Sequence, residues 1–170
     1  MLDQLQQSLR GFRAEVRWTA VQSIHLTLKF LGEIDPAVVP DLALELEKIS
    51  GSEAEFTLKL QGLGCFPNPR NPRVIWCGVR GQVEPLSHLE QKVEATCSQF
   101  GFPAENRPFH PHLTLGRVNG KRNLQPLMDY IKIGSDLECS FKVDHFNVYR
   151  SILKPQGAEY SVLKAIALNA

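Results

Sequence analysis

Two four-residue stretches of this chain carry the same chemistry-bearing pattern: His25-Leu26-Thr27-Leu28 and His112-Leu113-Thr114-Leu115. In a β-strand successive side chains point to opposite faces, so each stretch sends its leucines one way and presents an imidazole and a hydroxyl together on the other. One copy alone reads as a solvent-facing strand; repetition of the whole unit points to a site. Two imidazoles of ordinary pKa, near ~6.5, can be held in opposite protonation states, one taking a proton and one giving it. Threonine hydroxyls beside them can donate hydrogen bonds to non-bridging phosphate oxygens. That combination suits phosphoester cleavage.

Arg117 stands five residues beyond His112 and by strict alternation faces away from it; a bulge near Gly116 would return its guanidinium to the histidine side, where it could meet a phosphate. His110 shares parity with His112, and His-x-His on a strand can place two imidazoles on one metal. No carboxylate or cysteine nearby supplies a third ligand, so no metal is expected and His110 reads as a supporting or structural residue. His88, on a helix, and His145, on a late strand, are given no role.

These elements need a body to hold them. With 170 residues, 43% hydrophobic and 22% charged, the chain can bury one core or two small lobes sharing one. A net charge of +1 excludes a general nucleic-acid coating protein and leaves any anionic substrate to be met by local charge. Cys65, Cys77, Cys97 and Cys139 are widely separated without a Cys-x-x-Cys pair, which speaks for free thiols in a reducing cytoplasm rather than a zinc ribbon or disulfide framework. No apolar run approaches the ~20 residues that a bilayer crossing needs, and the first ten residues are too polar for a signal peptide, so no membrane association is expected.

Helical spacing of Leu2, Leu5 and Leu9 before Gly11 predicts an opening helix. Strands are predicted over Phe12 to Trp18 and, more strongly, Ser23 to Leu31. Leu42, Leu46 and Ile49 form one helical stripe after Pro40, closed by Gly51. Phe56, Leu58 and Leu60 alternate in a strand; the Pro/Gly/Asn-rich segment Gly62 to Pro72 reads as a loop; Arg73 to Val79 reads as a buried strand. Leu86, Leu89, Val93, Cys97 and Phe100 mark the clearest helix. Pro126 fits only the first turn of a helix from Leu124 to Ile131. Closing strands are expected over Leu137 to Leu153 and Glu159 to Leu168, joined by a hairpin turn through KPQG. No linker divides the chain, so residues 1–170 are read as one domain.

Superposing the two HLTL units exposes a coarse internal duplication, each unit preceded by a helix and a link and followed by a helix and strands. A pseudo-two-fold arrangement of two α+β lobes would bring both units to one cleft. With FHPHLTLGR around the second unit, HLTLKFLG at the first, and LGCFP, PRVIW and YRS elsewhere, the chain resembles the 2H phosphoesterases, most of all the bacterial RNA 2′,3′-cyclic phosphodiesterases once called 2′-5′ RNA ligases. The resemblance extends over nearly the whole chain.

It implies a bilobal α+β fold, two antiparallel sheets forming a central cleft with helices outside, and no cofactor or metal. It implies hydrolysis of an RNA 2′,3′-cyclic phosphate to a 2′-phosphate, with weak reversible 2′-5′ ligation as a companion activity. His25 and His112 match the family's catalytic pair, read here as acid and base in that order. Thr27, Thr114 and Arg117 match its phosphate contacts. Phe66 is either a platform for a base or a plug over the core. Two other readings stay open: a related enzyme acting on small cyclic nucleotides or ADP-ribose cyclic phosphate, and a non-catalytic module that binds RNA ends. The first lobe also shows no counterpart of the Arg73 to Val79 strand ahead of its helix. A sheet edge is therefore expected to be left open, with a monomer or weak self-association as the consequence.

Overall fold

The computed structural model describes residues 1–134, 138–154 and 157–170. In chain order the elements are α1 (Leu2–Arg10), β1 (Val16–Trp18), α2 (Val39–Ser50), β2 (Phe56–Phe66), β3 (Val74–Gly81), α3 (Val83–Gln99), β4 (His112–Val118), α4 (Leu124–Ile133), β5 (Glu138–Val143), β6 (His145–Lys154) and β7 (Gly157–Ala167). Short 3₁₀ turns at Val21–Ser23 and Pro36–Val38 interrupt the first third. The strands form a five-stranded sheet in the order β1-β4-β3-β2-β5 and a two-stranded sheet, β6-β7. This is an α+β fold, and β4 runs antiparallel to both its neighbours.

The chain divides into two compact units. The first comprises Met1–Leu26, Lys59–Arg80 and Pro111–Ser140 and holds most of the large sheet. Its core is built by alternation: Ile75, Cys77 and Val79 of β3 and Leu113 and Leu115 of β4 are buried, as are Leu5 and Leu9 of α1 and Leu127, Met128 and Ile131 of α4. Phe12, just past α1, meets Tyr130 of α4 with ring centroids 5.2 Å apart and planes tilted by 46°. The second unit comprises Thr27–Leu58, Gly81–His110 and Phe141–Ala170. There α2 packs on α3 and on β7, burying Leu42, Leu46 and Ile49 from one helix and Leu86, Leu89, Val93 and Cys97 from the other.

The strand predicted over Ser23 to Leu31 does not form; a single antiparallel bridge, Leu26 to Leu113, is all that remains of it. The cause lies on the β1 side of β4. β1 pairs with β4 through Trp18 opposite Gly116, and the Thr19 amide still donates to the Leu115 carbonyl. The chain then swings out through the Val21–Ser23 turn and returns to β4 only at Leu26. Beyond it, Lys29 is held by a nearly buried ion pair to Glu94 of α3 and by the Pro103 carbonyl, both at 2.6 Å. A tertiary ion pair thus anchors this stretch where alternation predicted a ladder.

Two further boundaries differ. The first predicted strand is confined to Val16–Trp18, and β2 continues through the predicted loop as far as Phe66. Gly62 takes a positive φ of 81° within β2, and Gly64 lies under the indole of Trp76, so these glycines serve a strand at a bend and a close approach rather than a turn. Leu137 and the centre of the KPQG turn, Pro155 and Gln156, lie outside the described residues.

The break between β1 and Leu26 is bridged by one side chain. Gln6 of α1 is only 1% exposed, and its Nε2 donates to the carbonyls of Thr19 and Leu115, each at 2.8 Å. Deleting the amide strips these carbonyls of a buried donor, a loss of ~1–3 kcal/mol. Gln6→Leu is therefore expected to lower stability in urea by that amount without changing the slope of unfolding. A variant as stable as the parent would show that the broken edge does not depend on Gln6.

Candidate active site

Strand β4 carries the site. His112 pairs with Gly78 and Thr114 with Trp76 on β3, and directly opposed residues share a face. The imidazole of His112, the hydroxyl of Thr114 and the indole of Trp76 therefore stand together on the face opposite the buried leucines. Phe66, at the end of β2, closes the corner. Its ring meets His112 edge-on at 5.0 Å between centroids and Trp76 at 5.2 Å, and Trp76 lies 6.3 Å from His112. A rigid aromatic angle thus fixes the position of the imidazole.

Arg117 returns to this face by the device the sequence left open. Along β3 the register with β4 reads Trp76 to Thr114 but Ile75 to Gly116, so Leu115 is an extra residue on β4, a β-bulge. Leu115 and Gly116 both turn toward the core, and the alternation is reset. Val74, on the same side of β3 as Trp76, stands opposite Arg117. The other flank agrees: Trp18, opposite Gly116, lies on the core side, with the Arg10 guanidinium of α1 5.7 Å from its ring centre.

His25 reaches the same face through the Leu26–Leu113 bridge. With Leu26 opposite Leu113, the residue before it comes alongside Thr114, diagonal to His112; such diagonal pairs stand ~7–8 Å apart in sheets. The Nδ1–H of His25 donates to the Ser23 carbonyl at 2.9 Å, which orients the ring and makes Nε2 the lone-pair nitrogen of its neutral form. Thr27 is the first residue of the second unit and is exposed. His110 also belongs to the second unit, at its surface. Among the described residues no three His, Cys, Asp or Glu side chains converge as metal ligands would.

Known proteins share both the sequence and the fold that produce this geometry. A family profile described as the 2′-5′ RNA ligase superfamily matches residues 2–154. The chain belongs to this superfamily. A relative from Aeropyrum pernix named RNA 2′,3′-cyclic phosphodiesterase is 34% identical over 163 residues, covering 95% of this chain and 92% of the relative. One of the same name from Methanothermobacter thermautotrophicus is 31% identical over 168 residues, covering 98% and 90%. Among solved structures, TT0787 of Thermus thermophilus superposes with a TM-score of 0.84 at 29% identity, covering 98% of this chain and 89% of its own. E. coli LigT complexed with 3′-AMP gives 0.78 at 28% identity, covering 98% and 92%.

In this member of the superfamily, two neighbours of the site escape a reading of the sequence alone. Trp76 is hidden because Arg73 to Val79 reads as one apolar run; taken with period two, Val74, Trp76 and Gly78 separate from Ile75, Cys77 and Val79. Arg17 pairs directly with Arg117 across β1 and β4 and so joins the same face. The thiols stay outside the chemistry: all four cysteines are free, and burial pushes Cys77 and Cys97 up to about 11, leaving them inert at neutral pH.

The aromatic corner depends on a glycine. A Cβ on Gly64 would sit 2.2 Å from Cζ2 of Trp76. Gly64→Ala is expected to tilt the indole away, freeing Phe66 and His112 from their fixed angle, with a red shift in tryptophan fluorescence and at least a ~10-fold loss of turnover. Unchanged fluorescence and turnover would show that the corner does not position His112.

Proposed function

We propose that this protein hydrolyses 2′,3′-cyclic phosphate ends of RNA to 2′-phosphates, using His25 and His112 as an acid–base pair. The observation that supports the reading is the Leu26–Leu113 bridge, which brings the residue after His25 onto the strand of His112 within the first unit; the names of the relatives supply the substrate class. In this mechanism His112 takes a proton from water as its oxygen attacks phosphorus. His25 delivers a proton from Nε2 to the departing 3′ oxygen as the P–O3′ bond breaks. The hydroxyls of Thr114 and Thr27 donate to the non-bridging oxygens, and Arg117 balances their charge. Phe66 and Trp76 offer a wall against which a nucleoside can rest. Attack by the 5′-hydroxyl of a second RNA in place of water gives weak, reversible 2′-5′ ligation by the same groups. The free thiols fit a reducing, cytoplasmic setting.

The test supplies 2′,3′-cyclic-ended RNA, small cyclic nucleotides and ADP-ribose cyclic phosphate in the presence of EDTA. A 2′-phosphate product is expected, with a bell-shaped pH dependence of kcat/KM, the signature of an acid and a base acting together. His25→Ala and His112→Ala should each cost ~10²–10⁴-fold or more. A substrate with sulfur at the 3′ bridging position needs no acid, so it should rescue His25→Ala but not His112→Ala. A 3′-phosphate product, or a fully active single variant, would overturn the assignment.

Association is proposed to be monomeric with weak self-contact. The two-stranded β6-β7 ribbon, with exposed Tyr149, Ile152, Leu153 and Val162, supports this reading. Sedimentation velocity should show a concentration-dependent shift at high protein concentration; a strict monomer throughout would remove the self-contact.

A further inference from the structure

At the end of the sheet where β4 finishes and β3 begins lies an open depression of about 640 Å³, all of it in the first unit. Five cations line it: Arg17, Arg70, Arg73, Arg117 and Lys121. Pairing fixes how three of them meet. Arg17 stands directly opposite Arg117 across β1 and β4, and the Arg73 carbonyl accepts from the amide of Val118, one residue on. Like charges directly opposed across a ladder are destabilising. Nothing on this surface relieves them: among the described residues no ion pair involves any of the five, and the nearby carboxylate of Glu15 is engaged by Arg122. The first turn of α4, contributed by Leu124 and Gln125, also borders the depression and adds the positive end of a ten-residue helix.

A chain of net charge +1 that gathers five cations at one end of one sheet has concentrated its positive potential locally. Arg117 lines this depression and stands on β4 five residues beyond His112. We infer that the depression is a second anion site, which takes the phosphodiester backbone of the RNA adjoining the cyclic end. This rests on the function proposed above and adds to it the surface that holds the RNA beyond its cyclic end, and with it a preference for polynucleotide ends over mononucleotides.

The experiment compares a 2′,3′-cyclic mononucleotide with cyclic-ended oligoribonucleotides of increasing length, for the parent and for Arg17→Gln/Arg73→Gln. The parent is expected to show kcat/KM rising with length and then levelling off. The dependence of log kcat/KM on log salt should be steeper for the oligomer by ~0.7 for each phosphate contacted, as for single strands. The double variant should lower the oligomer-to-mononucleotide ratio of kcat/KM about tenfold and flatten the salt slope by ~0.7–1.4, the share of one or two phosphates. Arg70→Gln/Lys121→Gln, on loops rather than strands, gives the same readout where the strand variant does not fold.

Fluorescence anisotropy with labelled 2′-phosphate-ended RNA separates the anion site from the reaction. Length- and salt-dependent binding without hydrolysis of any cyclic phosphate would refute the proposed reaction and leave the anion site standing. Hydrolysis with a length-independent kcat/KM, or variants that lower both substrates in equal proportion, would overturn the anion site.

Discussion

Strand β4 has two edges, and how the second is shared determines everything on the histidine face. β3 occupies one edge with a bulge in its register; the other is divided between β1 and the single bridge at Leu26. Where the chain swings out between these contacts, the Thr19 carbonyl loses its place in the ladder, and the Leu115 carbonyl of β4 keeps only the Thr19 amide as a ladder donor. The Gln6 amide of α1 donates to both at once. Because that bridging is made by a buried side chain, the path of the chain into His25 is set by the packing of α1 on the sheet. The site is thereby coupled to the core through one polar contact.

The second organising feature is the bulge at Leu115. Alternation alone would give β4 a histidine face and an arginine on the wrong side. Inserting one residue opposite Ile75 and Trp76 buries Leu115 completely and turns Arg117 back toward His112 and Thr114. A single register shift thus satisfies the core and charges the site. It also brings Arg117 opposite Arg17, a repulsion that an anion would relieve.

Much of this was legible from residue order. α1, α2, α3 and α4 appear where 3.6-residue stripes and helix-stopping glycines put them, because apolar spacing in helices is decided locally. The second HLTL unit is a strand because β3 and β1 flank it. The first is not, although its sequence is the same, because strand formation needs a neighbour and this stretch has one only at Leu26. Lys29, within the predicted strand, is nearly buried against Glu94, a partner 65 positions away that no local pattern reveals. The glycines of β2 misled in the opposite direction: they read as punctuation, whereas Gly64 makes room for an indole from the neighbouring strand. Trp76 and Arg17 were missed because their significance lies in cross-strand register, not in their own neighbours. The bulge near Gly116 was foreseeable as a requirement of the chemistry, and only the register of β3 locates it.

His25 and His112 are proposed to serve one phosphate from one face of β4. A crystal structure with a nucleoside 2′-phosphate bound tests it most directly. Phosphate oxygens are expected within ~2.6–3.2 Å of a ring nitrogen of both histidines, hydrogen-bond reach, with Arg117 on the same anion. A phosphate held by only one of the two imidazoles, with the other directed elsewhere, would contradict it.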